Sequence, residues 1–190
     1  MRFRLFLPAT VLVTLATPSV ARADGYLGSG IGVAVGNPSA QGRADFIVDV
    51  GWLPREPIGL EIDAMLAPSF FGNQGPYGNN GVTTVMANVV LAAGESRGLG
   101  RYRRRGAVTP YVSGGLGVIR ETTTSPAISN NDLGANLGAG IMAVSRRQVG
   151  VRGDVRYFRD LVGNSDGNTT SIDFGSFHFW RASIGVLFRF

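Results

Sequence analysis

The sequence predicts an all-β fold: an eight-stranded antiparallel up-and-down transmembrane β-barrel, preceded by a cleavable signal peptide. Three observations carry that reading. The first residues have the build of an export signal. Eight later segments alternate apolar residues with small or polar ones at period two, which is the period of a strand. The chain is 44% hydrophobic and only 16% charged, yet nothing after Ala23 is apolar for the ~20 residues a membrane helix needs.

The signal occupies residues 1–23. Arg2 and Arg4 precede an apolar run from Leu5 to about Ala16, and Ala21-Arg22-Ala23 closes it with a small-residue cleavage pattern. Residues 24–190 then form one domain, the barrel. Cysteine is absent, so the exported fold has no disulfide and no thiol chemistry. All eighteen basic residues are arginines, but they are dispersed among acids. The high pI is therefore no signature of nucleic-acid binding.

The alternating segments are 26–35, 44–53, 58–69, 82–93, 108–120, 133–144, 149–158 and the terminal stretch "SFHFWRASIGVLFRF". Most have 10–13 residues, close to the ~9–11 of a tilted strand crossing a bilayer. In the last one Phe190, Phe188, Val186, Ile184, Ala182, Trp180 and His178 share a face. An exposed aromatic edge of that kind invites aggregation unless it is paired and covered. In lipid, only a helix or a closed barrel satisfies every backbone N–H and C=O. Closure pairs the first strand with the eighth, and lipid covers the apolar faces.

The connections differ between the two ends. Pro54–Pro57 and Arg146–Gln148 are short; Asn37–Arg43, Phe71–Gly81, Glu121–Asp132 and Asp160–Ser176 are longer and polar. Outer-membrane barrels have short periplasmic turns and longer external loops. The segment "GESRGLGRYRRRGAV" breaks the rule, as a long periplasmic turn carrying Arg101, Arg103, Arg104 and Arg105. Basic residues near a membrane are drawn to an anionic surface by up to about 1 kcal/mol each, so attraction to anionic headgroups or to acidic peptidoglycan stands level with a solvated turn that only helps solubility.

The face opposite the apolar one carries Asp45, Asp49, Glu61, Asp63, Arg152, Asp154, Arg156 and Arg181. In a barrel of eight strands this face is the lumen, just wide enough for side chains to fill. Asp45, Asp49, Glu61 and Asp63 lie on the second and third strands; Arg152, Arg156 and Arg181, with Asp154 between two of them, lie on the seventh and eighth. Only the first strand, with Gly and Ala facing inward, separates them around the barrel. The expectation is a plug of paired ions. Phe46, Trp52, Phe70, Phe71 and Trp180 fall near segment ends, where aromatic rings form girdles at the membrane interfaces.

The stretches "TPYVSGGLGV", "GANLGAGI" and "GVRGDVRYF", followed by an aromatic C-terminus, resemble the small OmpA/OmpX-type outer-membrane β-barrels, including opacity-type porin-family proteins. The resemblance runs over essentially all of 24–190 and rests on degenerate motifs. It implies residence in the bacterial outer membrane. It also implies that Ile184, Val186, Phe188 and Phe190 form the signal read by the outer-membrane assembly machinery. The chain stops at Phe190, without the peptidoglycan-binding domain of full-length OmpA-type proteins.

Catalytic and cofactor chemistry find little support. The glycines of "GSGIGVAVG" alternate along a strand with no βαβ unit after them, unlike a nucleotide loop. Members of the family that deacylate lipid A use His, Ser and an acid on the outer wall. Here the single histidine, His178, has Ser183 on the opposite face and no acid within its strand. No cofactor or metal is implied. The reading is a monomeric, non-enzymatic barrel whose partners are outer-membrane lipid, the assembly machinery and an extracellular ligand at the loops, with no nucleic acid. Its role is structural or surface interaction. The alternative is a narrow pore or gated channel for ions or small solutes.

If the terminal strand is the assembly signal, deleting Phe190 lowers the membrane-inserted yield more than Phe174→Ala does. Equal yields in membrane fractions would show that the terminal aromatic is incidental.

Overall fold

The computed structural model describes residues 25–36, 41–53, 57–71, 80–93, 107–124, 127–145, 148–161 and 177–190. The signal peptide and the arginines of the basic turn lie outside them. Eight strands follow in order: β1 (Gly25–Gly36), β2 (Arg43–Trp52), β3 (Ile58–Ala67), β4 (Gly81–Ala92), β5 (Ala107–Thr124), β6 (Ala127–Val144), β7 (Val149–Asp160) and β8 (His178–Arg189). Each pairs antiparallel with the next, and β8 returns to pair with β1, closing the barrel. The seam runs in continuous register from Tyr26↔Arg189 to Gly36↔Phe179, with Gly30 opposite Gly185 at its middle.

Alternation in sequence becomes inside and outside in the barrel. Leu27, Ile31, Val48, Leu60, Ile62, Val89, Leu116, Leu137, Val155 and Ile184 point outward and are exposed. They form the band that lipid covers. Small inward residues let the wall close tightly. An added Cβ at Gly115 or Gly117 of β5 would collide with the Ala87 and Val85 carbonyls of β4. Between β6 and β7 the chain reverses through Gln148, which adopts a left-handed φ of 66°. There Ser145 N–H donates to Val149 O at 2.9 Å, and Gln148 N–H donates to Ser145 O at 3.1 Å.

One connection differs from the sequence expectation. Glu121–Asp132 reads as an external loop, but most of it is strand. β5 and β6 have 18 residues each and stay in register to Thr124↔Ala127. The polar composition resembles a loop, yet the β-branched run Thr122-Thr123-Thr124 suits a strand. The ladders to the neighbours stop earlier, at Gly81↔Thr122 and Gly134↔Asp160. β5 therefore runs two residues, Thr123 and Thr124, beyond its ladder with β4, and β6 runs seven, 127–133, beyond its ladder with β7.

Candidate functional site

The lumen is filled in three layers. At the outer mouth Phe70, Phe158, Phe177 and Phe179 pack with Ile47, Met65, Val82, Met86 and Ile119 in one apolar cluster. Phe158 and Phe179 stack with ring centroids 4.6 Å apart, and Phe70 meets Phe179 edge-on at 5.3 Å. At the periplasmic end Val90, Ala92, Tyr111, Met142 and Leu187 form a second apolar cluster. The charged residues lie between the two.

Arginines from β7 and β8 reach across to acids on β2 and β3. Arg152 Nη1 donates to Glu61 at 2.5 Å and to Asp49 at 3.0 Å, and its Nε donates to Asp154 at 3.1 Å. Arg156 Nη2 donates to Glu61 at 2.6 Å and to Asp154 at 3.3 Å. Arg181 grips Asp63 through two bonds of 2.9 Å. Neutral side chains complete the net. Tyr26 and Tyr111 hydroxyls donate to Glu61 and Asp154, Asn88 donates to Glu61, and Ser183 donates to Asp154 at 2.8 Å. Arg152 also lies over the Tyr111 ring, and Arg181 over the Phe158 ring.

Local sequence explains why the arginines fit. β1 faces inward with Gly28, Gly30, Gly32 and Ala34 between the acidic and basic walls. An added Cβ at Gly28 would lie 2.5 Å from an Asp49 oxygen, and one at Gly32 would lie 2.6 Å from an Asp45 oxygen. The glycines thus seat the two carboxylates. A cavity of about 10 Å³ lies beside Asp49, Arg152, Asp154 and Ser183. That is room for about one water molecule.

The structure brings seven of the eight sequence-predicted charges into this hydrogen-bonded net. Asp45 is buried beside it, with neither oxygen bonded among the described residues. Period-two reasoning placed the charges on the inner face but gave no rank to Tyr26, Asn88, Tyr111 and Ser183, which share it. The aromatic assignments need one correction. Phe46, Trp52 and Trp180 face outward, exposed like a girdle. Phe70 is 1% exposed and Phe71 packs against the same inner cluster. β3 ends at Ala67, and the turn through Pro68 folds back over the mouth, so strand parity no longer applies. Ile184, Val186, Phe188 and Phe190 all lie exposed on the outer face. His178 lies beside Tyr157, with ring centroids 6.0 Å apart, while Ser183 points into the lumen toward Asp154. The two do not converge.

Beyond the outward apolar face of β5, which ends at Val118 before exposed Arg120, a separate acidic group faces the mouth. Burial, and then Asp132 and Asp160, push Glu121 up to about 7. Its protonated form therefore contributes stability in acid that is lost as pH rises through about 7.

No family model and no curated protein matches the chain. Solved structures do. Neisserial surface protein A (NspA) is similar with a TM-score of 0.61 at 13% identity, covering 88% of this chain and 98% of that one. The attachment invasion locus protein Ail of Yersinia pestis is similar with a TM-score of 0.50 at 11% identity, covering 90% and 100%. The class is thereby defined: this chain has the fold of the eight-stranded outer-membrane β-barrels. Its apolar outer band is the surface such a barrel turns to lipid.

Removing one partner of a buried ion pair costs ~3–5 kcal/mol. Arg156→Ala is expected to lower the temperature at which the barrel loses its folded gel mobility well below that of Arg120→Ala, a change at an exposed site. Equal mobility transitions would mean that the charge layer does not hold the barrel together.

Proposed function

We propose that this protein is a non-enzymatic outer-membrane barrel that holds external segments at the cell surface, in a structural or surface-interaction role, with its lumen closed. The observation that carries the proposal is the layered filling. A charge layer lies between two apolar clusters, and the cavity beside Asp49, Arg152, Asp154 and Ser183 has room for about one water molecule. Eight strands leave an interior that side chains fill, whereas open porins use about sixteen. Among the described residues, the β6 side of the β5–β6 hairpin, which extends past its ladder with β7, is placed to meet a partner outside the cell. The names of the two similar proteins, a surface protein and an attachment protein, agree with such a role.

Two further parts of the reading come from the sequence. Ile184, Val186, Phe188 and Phe190 serve as the assembly signal. The Arg101–Arg105 turn gives the periplasmic end a positive charge suited to anionic headgroups or peptidoglycan.

Refolded protein in planar bilayers tests the closed lumen. The expected record is quiet, with little steady conductance. A large, stable single-channel conductance from the unmodified chain would replace this reading with the pore or gated channel.

A further inference from the structure

The lumenal layer does not balance its charge. Among the described residues it holds Asp45, Asp49, Glu61, Asp63 and Asp154 against Arg152, Arg156 and Arg181. Two negative charges are in excess, in a layer bounded above and below by apolar clusters. The hydrogen bonds show where the excess falls. Glu61 has Arg152, Arg156, Tyr26 and Asn88. Asp63 has both ends of Arg181. Asp154 has Arg152, Arg156, Tyr111 and Ser183. These three acids engage all three cations. Asp49 keeps one bond, to Arg152 at 3.0 Å.

Asp45 keeps none. It is 1% exposed, and both its oxygens are without a hydrogen-bond partner among the described residues. Its own strand carries one cation on the same face, Arg43, which donates to Gln41 at 3.2 Å and makes no ion pair with Asp45 among the described residues. β1 presents Gly32 and Ala34; on β3 Leu66 pairs with the adjacent Phe46, and Asp63 stands further along, opposite Asp49. β7 presents Asp154 and Arg156, the latter committed to Glu61. β8 presents Arg181, which holds Asp63 through both Nη atoms and whose Nε makes no hydrogen bond to Asp45. A buried carboxylate without a partner is among the costliest groups a protein can hold, and neutralisation removes most of that cost.

We propose that Asp45 is a proton-binding site: folding of the barrel takes up one proton from solution at neutral pH, and the neutral carboxyl lies against Gly32 beneath the aromatic layer. Unfolding returns that proton to the solvent. The charge layer is then an assembly of four carboxylates and three guanidiniums beside one neutral acid. Asp45→Asn copies the shape of the neutral form.

Infrared difference spectra between the wild type and Asp45→Asn, in bilayers at neutral pH, test this. The expected result is a protonated-carboxyl C=O stretch present in the wild type and lost in the variant. The folded gel mobility of Asp45→Asn is also expected to survive heating at least as well as the wild type's, in contrast to Glu61→Gln. Absence of the band, or a loss as large as that of Glu61→Gln, would overturn the site. If Asp45→Asn fails to fold, wild type carrying carboxyl-labelled aspartate answers by NMR: one neutral buried aspartate supports the proposal, and none overturns it. Stabilisation by sodium but not by choline at equal ionic strength would assign the excess charge to a metal cation and also overturn the proton site.

Discussion

Closure is the constraint on which the rest of this structure depends. A strand in lipid has no water to satisfy its backbone, so an open sheet would expose two rows of unpaired polar groups. The β1–β8 seam removes both edges at once. It also explains the terminal sequence, since the aromatic and aliphatic residues of β8 face outward only because the same strand is hydrogen-bonded on both sides, to β7 and to β1.

Closing a sheet of eight strands leaves a narrow interior, and that interior decides what the inward residues must be. Long arginines from β7 and β8 cross to β2 and β3 because the strand between the two walls carries glycines. The apolar clusters at either end keep water from the ions and raise the cost of leaving any of them unpaired. Shape and charge are thus coupled. Gly28 and Gly32 provide the seats, Asp49 and Asp45 occupy them, and Arg152 ties one seat to the far wall.

Much of this was legible in the sequence, because a period of two leaves only two places for a side chain to go. Asp63 and Arg181 were assigned to the same interior although they are 118 residues apart, and they meet at 2.9 Å. Height along the barrel axis was not legible. Alternation says that Phe158 and Phe179 point inward but not that they stack as a lid above the ions. Nor does parity survive a strand end, which is why Phe70 and Phe71 moved from the expected girdle into the mouth. The β5–β6 hairpin was concealed for a different reason: its polar residues resemble a loop, and only backbone pairing shows the strands continuing. The isolation of Asp45 was hidden as well, since it follows from how three guanidiniums are shared among five acids.

The most direct measurement of closure is amide hydrogen exchange of the protein in lipid bilayers, compared between the seam and an interior hairpin. The seam positions Ile31 and Ile184, paired with each other across β1 and β8, should be as protected as Val85 and Val118 across β4 and β5. Rapid exchange confined to the seam would contradict a closed barrel and, with it, the sealed charge layer.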